Sequence, residues 1–281
     1  MPDIDELCVL THPLGSVSES HARTLLNVLS TITTVSLVAV SIDEASSLCE
    51  EYETVSIADE TTTESIPLAA VGFLLNQLRM ARVIRRRPEP TVLFFGVTSY
   101  LIPVLAAMVT GKKVILQPRG DVPLTLRLQW EQRLPTPVAR LLAGSVGLLE
   151  TVGYRLCDGI ITYTPSMATE LGLDRFERKL YPHGARYVTL DRFYPRRPFG
   201  DRERVVGFLG RLDEEKGIET LAAVAQRLPS DVQFRFIGDG ARRDWLEATL
   251  ADEIAAGGGN VTGWVDQQGV PAGLRGVRLP V

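Results

Sequence analysis

The chain is poor in cysteine, histidine and lysine, and each shortage excludes something. Three cysteines occur in 281 residues, Cys8, Cys49 and Cys157, with no C-x-x-C and no ligand-like spacing to His12, His21 or His183. A structural zinc site and a disulfide framework are thereby excluded, and three buried thiols in a reducing compartment are expected. Lysine occurs only at Lys112, Lys113, Lys179 and Lys216, so nearly all basic charge is arginine. That bias reflects genomic composition more than function. Positive charge is not in excess: 30 basic against 34 acidic residues give −4, which removes the electrostatic case for a nucleic-acid partner. No apolar run is long enough to span a bilayer; the longest, Val97 to Val109, is interrupted by Pro103. The first residues, Met1 to Glu6, are acidic where a signal peptide would be basic. The expected location is cytoplasmic, including the cytoplasmic membrane surface. A G-x-G-x-x-G is missing after the runs at Leu7 and Val205, and G-K-[ST] is missing altogether. A dinucleotide oxidoreductase and a P-loop kinase are therefore poor readings.

What is present is alternation. Short β-branched runs alternate with helical patterns, which predicts βαβ units and parallel sheets, an α/β fold. Strands are expected at Leu7–Thr11, Val35–Val40, weakly around Val55, Thr91–Phe95, Lys113–Gln117 and Gly159–Tyr163. Helices are expected over 20–29, 68–87, 100–109, 135–154 and 166–171. Residues 1–195 thus read as one doubly wound domain, and 196–204, with Pro198 and Gly200 among arginines, as a linker. The alternation restarts over 205–281, with strands at 205–209, 232–236 and 261–263 and helices over 217–228, 241–254 and 268–275. The last residues, from Val277, look like the start of another strand. A lobe of three strands is marginal in size and leaves a parallel edge open.

The chemistry concentrates at Gly207–Gly217, where a strand hands over to a helix; ligands bind at such junctions in open α/β sheets. Gly210 lets the backbone approach an anion, and the next helix start offers unpaired N–H groups. Arg211 adds a planar cationic fork and Lys216 a flexible point charge. Together they can hold a diphosphate and steady it as it leaves. The alternative is a plain strand–turn–helix with two surface cations.

Gly210-Arg211-Leu212 followed by Glu215-Lys216-Gly217 resembles the GR(L)…EKG turn of family-4 glycosyltransferases, the group 1 glycosyl transferases. Three further pieces stand in that family's order. Phe236–Gly240 resembles its GDG turn, Val261–Val265 its F-x-G-x-V segment, and Tyr181–Gly184 with Asp191–Pro195 its connector. The resemblance implies a GT-B architecture of two Rossmann-like doubly wound lobes. It implies a retaining transfer of sugar from a nucleoside-diphosphate sugar to a glycan or lipid-linked acceptor. Arg211 and Lys216 would then be the catalytic cations, with Gly210, Gly238 and Gly240 beside the donor. No cofactor and no metal are expected, because the two cations carry the diphosphate charge. Gly238 and Gly240 read equally well as purely structural. The first lobe would hold the acceptor, with Gly15, Ser16 and Arg119 as its candidate phosphate contacts; Glu19 and His21 are weaker candidates.

Two departures matter. Arg119, in Gln117-Pro118-Arg119-Gly120-Asp121, stands where the family has a histidine, and suits a phosphorylated or lipid-phosphate acceptor or an internal pair with Asp121. His183 replaces the family's asparagine. Beyond the last strand the resemblance implies a helix bearing E-x7-E, whose carboxylates would contact the donor sugar, followed by a final helix crossing back to the first lobe. Neither lies within these 281 residues, so the second lobe reads as incomplete, and weak or absent turnover, even a remnant that only binds nucleotide, is expected. The segment from Leu124 to Leu156, apolar with interspersed arginines, reads as core helices or as a peripheral contact with anionic lipid.

Overall fold

The computed structural model describes residues 6–58, 66–182, 184, 193–266, 269–275 and 277–280. The chain divides into two compact units, Met1–Tyr187 and Val188–Val281, so the Pro- and Arg-rich stretch after Phe193 belongs to the second.

The first unit runs β1 (Glu6–Thr11), α1 (Ser16–Leu29), β2 (Thr34–Ala39), α2 (Ser47–Glu51), β3 (Glu53–Ser56), α3 (Ile66–Arg86), β4 (Thr91–Phe95), α4 (Leu101–Val109), β5 (Lys113–Gln117), α5 (Val122–Glu131), α6 (Thr136–Leu156), β6 (Gly159–Ile161), α7 (Pro165–Glu170) and β7 (Leu180–Tyr181). All seven strands are parallel, in the order 3-2-1-4-5-6-7. Apolar cores lie on both faces of this sheet: Cys8, Leu10, Val92, Phe94, Val114 and Leu116 are in one, and Leu7, Val9, Leu37 and Leu93 in the other. This is why the strands read as continuous apolar runs rather than alternating ones. Pro103 sits in the first turn of α4, where a missing N–H costs nothing. Cys8 and Cys157 are buried but Cys49 is only half-buried, so the expectation of three buried thiols fails at Cys49.

α5 heads the Leu124–Leu156 segment read above as core helices, and it is helical but not a core helix. Val122, Leu124, Leu126 and Leu128 alternate with a period of two, and none of the helix is buried. The helix is fixed at its start instead: the Asp121 carboxylate accepts from the Leu124 amide at 2.8 Å, and Pro123 occupies the first turn. Gly147 of α6 then leaves room for Pro123, whose Cγ would lie 3.4 Å from a Cβ placed there. β7 is unexpected, because two residues carry no readable pattern.

The second unit runs β8 (Val205–Leu209), α8 (Ile218–Ala225), β9 (Gln233–Ile237), α9 (Arg243–Thr249), α10 (Ala251–Ala255), β10 (Gly259–Val261), α11 (Val270–Leu274) and β11 (Leu279–Pro280). Its parallel sheet has the order 10-9-8-11, the same reversal about the first strand as in the first unit. The further strand expected from Val277 is present: Leu279 and Pro280 pair with Val206 and Gly207, so the lobe has a fourth strand and β8 is flanked on both sides. The single helix expected over 241–254 is broken at Leu250, whose φ of −104° ends α9 while its buried side chain anchors the bend.

Glu150 of α6 is a buried acid near the carboxyl ends of β4 and β5. Thr98 donates a short hydrogen bond to it. Burial pushes its carboxyl from 4.5 up to about 7; the Thr98 bond opposes this and Asp121 adds to it. The folded state therefore holds this proton more tightly than the unfolded chain does. The stabilisation is complete below about pH 4.5, declines as pH rises, and is lost above about pH 7. Glu150→Gln is expected to raise stability by up to about 3 kcal/mol near pH 8 and by little near pH 4.5. Urea midpoints at the two pH values measure this, and equal shifts at both would contradict it.

Candidate functional site

The turn after β8 is held against the turn after β9 by a ladder of backbone bonds. Gly210 N–H donates to Ile237 O (3.1 Å), Leu212 N–H to Asp239 O (2.9 Å) and Arg242 N–H to Leu212 O (2.8 Å). The Asp213 carboxylate accepts from the Ala241 amide at 2.9 Å. Glycines permit the approach. A Cβ on Gly238, at φ +145°, would lie 1.9 Å from Gly210 O, and one on Gly240 would lie 2.6 Å from Asp213 Oδ1. These two glycines thus have a packing role, the structural alternative left open by the sequence.

Arg211 and Lys216 stand exposed on this turn, at the carboxyl end of the sheet. Arg211 is occupied: its Nε lies 3.4 Å from Asp213, and its Nη2 pairs closely with Glu215. The helix expected from Gly217 begins one residue later. Residues Glu214–Lys216 form one 3₁₀ turn, Gly217 takes the left-handed conformation at φ +66°, and α8 begins at Ile218. A left-handed turn of this kind is open to glycine at little cost, which explains the glycine after Lys216. The arrangement offers two cations beside exposed backbone and can receive an anion once Arg211 exchanges its carboxylate partners. A cavity of about 730 Å³ in the same unit is lined by Phe193, Arg197, Arg202, Arg235, Leu274 and Arg275, none from these turns, so it is separate from the turn chemistry.

In the first unit, Arg119 follows β5 and does not pair with Asp121, whose carboxylate caps α5. Its guanidinium lies 5.0 Å above the Phe95 ring, with Nη1 3.3 Å from His12 Nε2 and Nη2 2.5 Å from His21 Nδ1. Gly15 precedes α1, its amide donating to Ser18 Oγ at 2.8 Å, and Ser16 opens the helix. Glu19 is bound to Arg23 (3.0 Å) and Ser46 (2.8 Å), a structural engagement. Sequence reasoning missed His12, weighing it only as a metal ligand; its place directly after β1 was the available signal. Burial, with Arg119 and then His21 beside it, pushes the His12 imidazole down to about 4. His183 and the Asp191-Arg192 part of the connector lie outside the described residues.

Residues 203–281 match the family model for glycosyl transferases group 1. A GDP-mannose-dependent alpha-mannosyltransferase of Corynebacterium glutamicum is 38% identical over 85 residues, a match covering 27% of this chain and 20% of that protein. The lipopolysaccharide outer core galactosyltransferase WaaB superposes with a TM-score of 0.63 at 15% identity, over 98% of this chain and 73% of that one. Anabaena HepE in complex with UDP does so at 0.62 and 11%, over 95% and 71%. Sucrose-phosphate synthase of Thermosynechococcus elongatus gives 0.63 and 14%, over 98% and 74%. Residues 203–281 are therefore similar to a glycosyl transferases group 1 domain, in a chain with the fold of GT-B glycosyltransferases.

Proposed function

We propose that the protein is a retaining glycosyltransferase of the family-4 type. It would transfer a sugar from a nucleoside-diphosphate sugar to a hydroxyl of a glycan or lipid-linked acceptor. The observation that carries this is the locked turn after β8, with Arg211 and Lys216 exposed at the carboxyl end of a parallel sheet. HepE, a relative in fold, has been crystallised with UDP, which supports a nucleotide donor here. In this reading both cations donate to diphosphate oxygens, most strongly as negative charge grows on the departing group. No metal is needed for that role. The second unit would hold the donor and the first the acceptor, in the cytoplasm.

The competing reading is a non-catalytic chain that only binds nucleotide. Calorimetry with UDP, GDP and ADP, followed by transfer assays with the corresponding sugar nucleotides, separates the two. Binding with turnover supports the enzyme; binding without turnover supports the alternative. Failure to bind any of the three would sink both.

A peripheral membrane contact is a further part of this reading. No described helix is long and apolar enough to cross a membrane. The arginines expected to serve between Leu124 and Leu156 are partly engaged, Arg127 and Arg140 lying 3.3 and 3.8 Å from Glu131. α3 is the better candidate: Leu68, Val71, Leu75 and Leu78 are exposed along one face, followed on that face by Arg79, Arg82 and Arg86, and the helix contains no acid. Such a face suits anionic lipid. Pelleting with phosphatidylglycerol vesicles is expected, falling at least fivefold in Leu75→Glu/Leu78→Glu. No pelleting at low salt would end this idea.

A further inference from the structure

The strand order of the first unit reverses between β1 and β4, the place where open α/β sheets receive ligands. His12 follows β1, Phe95 ends β4 with Gly96 directly after it, Arg119 lies beyond β5, and His21 rises from α1. The position of Arg119 is built. Gly96 takes φ +78°, and a Cβ there would lie 2.8 Å from Arg119 Cδ, so the arginine stem occupies space that only glycine leaves. The guanidinium is spread over Phe95 with one imidazole at each Nη nitrogen.

The guanidinium donates to the facing nitrogen of each imidazole, and burial with Arg119 alongside favours the neutral form of His12. Thr11 Oγ1, 3.0 Å from His12 Nδ1, takes the proton on that nitrogen and so fixes the tautomer. The charged groups acting on His12 are Arg119 and His21, with no carboxylate among them. Among the described acids nearby, Glu19 bonds to Arg23, Asp121 caps the start of α5, and Glu150 accepts from Thr98. All three members of the cluster are partly exposed.

We propose that His12, His21 and Arg119 form a binding site for the phosphate of a phosphomonoester carried by the acceptor. The inference rests on the reading of the first unit as the acceptor side and deepens it. A phosphate dianion accepts two parallel bonds from the guanidinium fork. Each imidazole released from Arg119 then faces the anion, takes up a proton and becomes a donor. Binding is therefore linked to proton uptake, and no covalent bond changes.

Inorganic phosphate, a soluble sugar phosphate and short-chain phosphatidic acid serve as probes, with sulfate for comparison and no nucleotide present. Calorimetry near pH 7 in two buffers of different ionisation heat should show saturable binding with proton uptake. Near pH 5.5 the His12 ring resonance should move from neutral to protonated on saturation. Arg119→Gln should weaken binding at least tenfold, Arg119→Lys should restore part of it, and His12→Gln should reduce the proton uptake. Arg211→Ala should leave all of this unchanged. Preference for the sugar phosphate or for the lipid identifies the source of the phosphate. Absence of saturable binding, full affinity in Arg119→Gln with native near-UV circular dichroism, or loss of binding only in Arg211→Ala would each overturn the proposal. Loss of sugar transfer alone leaves it standing. Nucleotide binding without phosphate binding removes this site and spares the donor turn.

Discussion

Removing both Arg211 and Lys216 is expected to weaken nucleoside-diphosphate binding at least a hundredfold, and the two single variants should differ. A charge-assisted hydrogen bond contributes about 1.5–3 kcal/mol, or roughly ten- to a hundredfold in affinity. Lys216 has no side-chain partner among the described residues, so Lys216→Ala forfeits its full contribution. Arg211 must first leave Asp213 and Glu215, which offsets part of its gain. Arg211→Ala should therefore cost less than Lys216→Ala. Glu215→Gln, which removes a competing carboxylate without removing a cation, should strengthen binding by about two- to fivefold. Calorimetry on the four variants measures all of this. If Glu215→Gln weakens binding, the carboxylate orients the arginine rather than competing for it, and the exchange argument fails.

The second large effect belongs to Gly238. Its φ is +145°, and a Cβ there would come within 1.9 Å of Gly210 O, so an alanine has no room without moving the backbone of the β8 turn. Strain in such a conformation costs about 1–3 kcal/mol and overpacking a similar amount. Gly238→Ala is thus expected to destabilise the second unit by about 3 kcal/mol or more. Hydrogen exchange should show lost protection at the Gly210 and Gly238 amides, which bond to Ile237 and Gly263. The first unit should be unaffected. Gly15→Ala, with open space around its Cβ, is the neutral control. Unaltered protection in Gly238→Ala would mean the turns do not approach as closely as described.

Much of the fold was legible because β1, β2 and β4 are short apolar runs buried on both faces, a pattern the chain states locally. The helices with strong periodicity, such as α3 and α6, were legible for the same reason. α5 was legible only as part of the segment from Leu124 to Leu156 and not by its own bounds, since its apolar residues alternate as a strand would and its start is set by the Asp121 cap and the packing of Pro123 on Gly147. β7 and β11 were hidden or incomplete because two-residue strands exist only through their partners, β6 and β8.

The candidate sites divide in the same way. The turn with Gly210, Arg211 and Lys216 is contiguous, so its residue types and spacing are fixed by sequence alone. The packing role of Gly238 and Gly240 and the grouping of His12, His21 and Arg119 were decided by tertiary structure. Arg119 lies 107 residues from His12 and 98 from His21. Parallel strands bring such distant positions together at one sheet edge, and no local pattern in the chain records that meeting.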